Sequence, residues 1–197
     1  MEALEVSDLA IVEPLTRGYP PEGLNFENRT RPIRIYTLGR FAVVKDGAPI
    51  SFTGRPQHKP MSLLKAILAF GGGDVDSQDV IAALWAAAEG DAARNAFDVA
   101  LHRLRKLLQR NDAVVLKEGV LSLNPSVCWV DVWEFERLLA RVEKSLLDAR
   151  ANTVSAALTE RMLELYQGPF LNGASEPWML APRERLHMKF HRHICML

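Results

Sequence analysis

One stretch of the chain has side chains of the right type and spacing to hold a polyanion. Between residues 94 and 110 stand Arg94, His102, Arg103, Arg105, Lys106 and Arg110, and Asp98 is the only acid among them. On a helix turning roughly 100° per residue, Asp98, His102 and Arg105 share one side and Val99, Arg103 and Lys106 the adjacent one. Together they form a polar strip opposite Leu101, Leu104 and Leu108. An α-helix fits the major groove of duplex DNA, where Arg pairs bidentately with guanine and Lys or Arg neutralises phosphate. The blander reading of the same pattern is the solvated face of an ordinary amphipathic helix.

The remaining reactive types are less organised. His187, His191, His193 and Cys195 include a histidine pair four residues apart, the spacing by which one helix offers two ligands to zinc. No carboxylate stands between that pair, and nothing fixes the other ligands, so no metal site is expected. Gly71-Gly72-Gly73 lacks the Lys-Ser/Thr of a phosphate loop and follows a helical rather than a strand pattern, so it reads as a helix stop. No Ser-His-Asp or Cys-His arrangement has a supporting local motif. Trp85, Trp129, Trp133 and Trp178 each sit among apolar helical positions and read as core anchors rather than a base-stacking platform. The expected mechanism is therefore binding rather than catalysis, with no cofactor.

These side chains need a scaffold, and the chain is long enough to supply one. Its 197 residues are 48% hydrophobic and 24% charged, a balance that fits one large domain or two small ones and excludes collagen and low-complexity disorder. Two cysteines, Cys128 and Cys195, cannot staple a mini-protein, and the acidic start lacks the order of a signal peptide. A reducing, cytoplasmic setting is expected. The longest apolar runs, such as Leu63 to Phe70, fall far short of the roughly 20 residues that cross a bilayer, so no membrane partner is expected. The zero net charge is uneven: residues 32–126 hold 12 Lys and Arg against 9 Asp and Glu.

Residues 1–31, rich in Pro, Gly and acids, read as a leader or linker. From Ile33 an alternating texture, an Asp46-Gly47 turn and Ile50 to Phe52 predict a short antiparallel meander. Helical spacing follows Pro60, with Leu63, Leu64, Ile67 and Leu68 on one face. A second helix is predicted with Ser77 as its N-cap and Val80, Ile81, Leu84 and Trp85 inward. Asp91 opens a longer one, with Phe97, Leu101, Leu104 and Leu108 inward, ending near Asn111-Asp112. Val114 to Leu116 and Val120 to Leu123 then flank Lys117-Glu118-Gly119 as a hairpin. That order is an α+β winged helix preceded by a sheet. After Pro125 the pattern is helical: Phe135, Leu138, Leu139, Val142 and Leu146 in one stripe, then Leu158, Met162 and Leu165. A last stripe holds Leu186, Phe190, Ile194 and Leu197 at steps of 4, 4 and 3. These helices predict a separate all-α module.

The segment NAFDVALHRLRKLL, residues 95–108, resembles the recognition helix of OmpR-type winged-helix regulators. IYTLGRFAVVKDGAPI, KPMSLLKAILAFGG and VIAALW resemble the matching parts of the Streptomyces antibiotic regulatory protein family, whose DNA-binding domain precedes a bacterial transcriptional activation domain. WVDVWEFERLL resembles the first helix of that second domain, and LYQGPFL with Trp178 and RERL its third helix. The resemblance implies a winged-helix DNA-binding domain over 32–126 and a TPR-like helical activation domain over 127–197. In the family that domain continues through several more helices. It implies a regulator binding double-stranded DNA through Arg94, Asn95, His102, Arg103, Arg105, Lys106 and Lys117, with Arg103 and Arg105 foremost and Asp98 orienting an arginine or capping the helix.

Two features depart from the family pattern. Glu118 stands at the wing tip with Val120-Leu121 after the glycine, so Lys117 is the only wing cation and weaker wing contact is expected. The second departure is length, since only 69 residues run from Trp129 onward; the last apolar stripe reaches Leu197 and needs a cover from the first two helices, a second copy or absent sequence, and a homodimer is expected. RNA polymerase is the other expected partner of the helical module. The rival reading is a protein-interaction or ligand-binding module whose winged helix has little or no DNA affinity.

Overall fold

The computed structural model describes residues 31–51, 58–88, 90–146 and 152–195. The expected leader up to Thr30, together with Phe52 and Leu197, lies outside the described residues. In chain order the elements are β1 (Ile33–Tyr36), β2 (Ala42–Lys45), β3 (Ala48–Pro49), α1 (His58–Ala69), β4 (Val75–Asp76), α2 (Ser77–Leu84) and α3 (Gly90–Leu108). There follow β5 (Val114–Lys117), β6 (Val120–Leu123), β7 (Cys128–Val130), α4 (Asp131–Leu146), α5 (Asn152–Leu165), a 3-10 turn (Pro177–Met179) and α6 (Leu180–Ile194).

Both hairpin turns follow from local chemistry. Asp46 and Gly47 have φ of 47° and 84°, and Glu118 and Gly119 have φ of 52° and 83°. Left-handed values at both central residues make the type I′ turn whose twist matches that of the flanking strands. Helix α1 stops as its glycines require: Gly72 N donates to Ile67 O at 2.8 Å and Gly71 N to Leu68 O at 3.1 Å, a Schellman ending. Helix α3 ends in the same way at Leu108, earlier than expected, with Gln109 at φ 51°. The cap of α2 also differs from expectation. Asp76, not Ser77, is the N-cap, its carboxylate accepting from Gln78 N at 2.7 Å. Val75–Asp76 pairs with β6 as a strand, which turns Ser77 N to Gly119 O and leaves the capping position to the preceding residue.

The N-terminal sheet is mixed rather than purely antiparallel. Its order is β3-β2-β1-β7, with β7 parallel to β1 in the register Ile33↔Cys128 and Ile35↔Val130. Residues just after Pro125 thus extend this sheet before α4 begins. All three residues of β7 are buried, so the alternation that marks a half-exposed strand is absent from them. The second sheet, β4-β6-β5, carries the hairpin.

One core serves both halves. It runs from Ile33, Ile35 and Val43 through Leu63, Leu64, Ile67, Phe97, Leu101 and Leu104 to Phe135, Met162, Phe170 and Leu186. The helical module is therefore not separate in packing. Asp131, buried at the head of α4, fastens the two: its carboxylate accepts from Thr37 N (2.6 Å), Thr37 Oγ1 (2.6 Å), Leu38 N (2.9 Å) and Val132 N (2.8 Å). Beside it Leu171 N donates to Thr37 O at 2.7 Å and Gly39 N to Pro169 O at 3.0 Å. Backbones meet closely here, since a Cβ on Gly39 (φ 85°) would lie 2.7 Å from Gln167 C and O. Arg183 closes the far side, donating to the carbonyls of Phe170, Leu171 and Ala174 at 2.9, 2.8 and 2.7 Å.

Candidate nucleic-acid interface

Helix α3 divides as its periodicity dictates. Ala93, Phe97, Ala100, Leu101, Leu104 and Leu108 are buried, while Asn95, Asp98, Val99, His102, Arg103 and Lys106 are exposed along the opposite face. Packing of the first set against α1 and α2 fixes the axis and rotation of the helix, and so fixes which side chains look outward.

The seven expected site residues fall into two groups. Asn95, His102, Arg103 and Lys106 stand together on that face, and their side chains meet no hydrogen-bond or ion-pair partner among the described residues. Lys117 is exposed and equally unengaged at the start of the hairpin turn. Arg94 and Arg105 are half-buried and engaged. Arg94 Nε lies 3.6 Å from Asp98 Oδ2, with its guanidinium 5.3 Å from the Phe97 ring centroid. Arg105 donates through Nε to Val114 O at 2.9 Å. It thereby ties α3 to the first strand of the hairpin, a role that helical spacing does not reveal. Arg110 is held by Asp112 through two hydrogen bonds of 2.8 Å, which raises the pKa of the guanidinium and lowers that of the carboxyl.

The hairpin itself carries no net charge, Lys117 being matched by Glu118. Glu118 is exposed at its tip beside Lys117, and Val115 and Val120 are 41% and 37% exposed. Sequence reading missed the residues that hold this interface in place. Asp131 carried a signal, being a lone carboxyl in the apolar run Trp129 to Val132, where an unpaired charge is rarely tolerated. Gly39 and Arg183 carried none that spacing could detect.

On α6 the last apolar stripe is half covered. Leu186 is buried, Phe190 stacks on Tyr166 at 3.8 Å between ring centroids and Ile194 is 38% exposed; outside the stripe, Leu180 and Met188 are 55% and 61% exposed. His193 is buried with Nδ1 donating to Lys189 O at 3.2 Å, and His187 Nδ1 lies 3.3 Å from the Tyr166 hydroxyl. Among the described residues no group of three or more His, Cys, Asp or Glu is gathered as a metal would need. Nor is any helix among them long and apolar enough to cross a membrane.

Fold and site together define the class: a winged-helix module, with its basic helix face open, carried on a helical module. Residues 130–194, which make up most of the helical module, match the family model of the bacterial transcriptional activator domain. Among solved structures the chain is similar to Mycobacterium tuberculosis EmbR in complex with a low-affinity phosphopeptide, with 20% identity and a TM-score of 0.56. The similarity covers 84% of this chain and 42% of that one, so the chain spans less than half the length of that structure. The likeness is one of fold. No curated protein matches the chain in sequence.

Proposed function

We propose that this protein is a bacterial transcription regulator that binds duplex DNA by laying the exposed face of α3 in the major groove. The observation that carries this reading is the set Asn95, His102, Arg103 and Lys106, one face of a rigidly packed helix whose polar groups meet no partner among the described residues. Side chains that are mutually satisfied are poor candidates for a partner. Here the engaged residues flank the open ones: Arg94 pairs with Asp98 on the same helix, and Arg105 ties the helix to the hairpin. Arg103 is the foremost base-reading residue and Lys106 a phosphate contact, with Asn95 at the N-terminal end of the face. Arg94 and Arg105 add charge toward the phosphates, and Lys117 contributes from the hairpin. The mechanism is binding, and the helical module offers Leu180, Met188 and Ile194 for contact with a second copy or RNA polymerase. Light scattering at high concentration that returns only the monomer mass of 22.0 kDa removes the second copy.

Fluorescence anisotropy with pooled genomic fragments at two salt concentrations tests the reading. Binding should weaken with salt, with log affinity falling by about 0.9 per phosphate contact against log salt. Arg103→Ala should cost about 1–3 kcal/mol of specific affinity, and Lys106→Ala should lower the salt slope by about one contact. A flat salt response, or unchanged binding by both variants, overturns it. A second reading, a protein-interaction module, is favoured by the acidic tip Glu118 and the exposed Val115 and Val120 of the hairpin. It predicts partner binding that Arg103→Ala leaves intact.

A further inference from the structure

Val99 is the one large apolar side chain of α3 left in solvent, 48% exposed, and it stands on the polar face of the helix. At roughly 100° per residue, Asn95, His102, Arg103 and Lys106 all lie within about 60° of it around the axis, with Arg103 on one side and the other three on the other. Val99 is therefore inside the open face and not at its margin. Along the axis Asn95 precedes it and Arg103 follows it by one turn, about 6 Å each way. A valine in this place serves neither helix nor core: β-branching is a mild cost within a helix, and the inward set Phe97, Leu101 and Leu104 lies on the other side.

An apolar side chain set among open hydrogen-bonding groups has nothing to offer a phosphate or the polar atoms of a base edge. The major groove presents one apolar feature, the C5-methyl group of thymine, and 5-methylcytosine carries the same group at the same ring position. We infer that Val99 reads a pyrimidine C5-methyl group in the major groove, between the bases that Asn95 and Arg103 contact. This rests on the DNA-binding reading above and adds to it the chemical identity of one base. The surroundings favour a duplex over a protein as the occupant. Arg103 and Lys106 are open cations, and the nearest acid, Asp98, is taken by Arg94 at 3.6 Å, so whatever touches Val99 must bring anions to both sides of an apolar contact. A groove with methyl groups on its floor and phosphates along its rims does so. The contact is also well defined, because valine keeps one strongly preferred rotamer in a helix and α3 is fastened by its buried face and by Arg105 to Val114 O. With base pairs about 3.4 Å apart, a spacing of about 6 Å puts the methyl group within about two base pairs of the guanine that Arg103 reads.

The test starts from duplexes that the wild-type chain recovers from a random-sequence pool, one of them fluorescein-labelled for anisotropy. Each thymine is replaced in turn by deoxyuridine, which removes the methyl group and keeps every hydrogen-bonding group. At one thymine, wild type should bind about fourfold more weakly after the swap, the worth of one buried methyl group. Val99→Ala, a good helix former at an exposed position, should bind the thymine and deoxyuridine duplexes alike. In a second set that base pair becomes 5-methylcytosine with guanine, or cytosine with guanine. A wild-type preference for the methylated form that Val99→Ala lacks makes the methyl group the ligand on either base, and a preference confined to thymine over deoxyuridine names thymine as its source. If no swap changes wild-type binding, or Val99→Ala keeps the wild-type discrimination, the inference falls while DNA binding stands. If no duplex is enriched and binding to the pool is insensitive to salt, the DNA-binding reading falls and takes the inference with it.

Discussion

Asp131 is where a single substitution is most informative about the fold. Its carboxylate is buried and receives four hydrogen bonds, three from Thr37 and Leu38 at the end of β1 and one from Val132 at the start of α4. Burial is the larger influence and raises its pKa from 3.8 to about 6, against the pull of those donors. A rise of that size is worth roughly 3 kcal/mol. Because the folded state holds the proton more tightly than the unfolded one, this contribution is fully present below about pH 4 and is lost as pH rises through about 6. Asp131→Asn removes the titration while keeping the shape. Urea unfolding followed by tryptophan fluorescence should give a wild-type stability that gains roughly 3 kcal/mol on Asp131→Asn between about pH 7 and pH 4. Exposed pairs such as Arg110–Asp112 act in the opposite sense, but equally in both proteins. Asp131→Ala goes further, leaving buried backbone donors without an acceptor, and should cost about 3–5 kcal/mol at neutral pH. Parallel pH profiles for wild type and Asp131→Asn would refute the argument, as would a gain with rising pH.

At Gly39 an added Cβ would lie 2.7 Å from the Gln167 backbone with φ at 85°, so Gly39→Ala should cost about 2–4 kcal/mol in urea unfolding. Gly47→Ala is the control, with similar φ (84°) but no atom within 4 Å, and should cost only about 1 kcal/mol. Arg105→Ala, which frees Val114 O, should lower stability by about 1–2 kcal/mol, whereas Arg103→Ala should stay within about 0.5 kcal/mol; equal melting losses would contradict the division of roles on α3. Burial pushes the Cys128 thiol up to about 12, while Cys195 is exposed, so a thiol reagent should label Cys195 in the native protein and Cys128 only on unfolding.

What the sequence made legible was local. The type I′ turns at Asp46-Gly47 and Glu118-Gly119 are written in their own residues, and the inward set Phe97, Leu101, Leu104 and Leu108 is a matter of helical period. From these follow the order of elements and the outward face of α3. The rest depended on partners distant in sequence. Cys128 to Val130 read as a prelude to a helix because their strand partner, Ile33 to Ile35, lies nearly a hundred residues earlier. Ser77 looked like the cap because nothing local shows that its N–H is claimed by Gly119 O. Arg105 and Arg103 are alike in sequence, and only the place of Val114 O separates them.

The motifs that resemble an activation domain acquire a physical meaning at the seam. Within WVDVWEFERLL it is Asp131 that holds the end of β1. Within LYQGPFL it is Gly168, Pro169 and Phe170 that meet Gly39 and Leu38, the last through a β-bridge. Within RERL it is Arg183 that ties that loop to α6. All three fasten the helical module to the strand whose inner residues, Ile33 and Ile35, share one core with Phe97 and Leu101 of α3. A module joined by a flexible linker leaves its partner's orientation free, whereas this one is joined by buried hydrogen bonds and a continuous core. The exposed residues of α6 are thereby held at a set offset from the open face of α3. If the proposed function holds, a partner resting on Leu180, Met188 and Ile194 would be placed at a fixed offset from a duplex lying against Arg103 and Lys106, the geometry that linking DNA to a second protein would require.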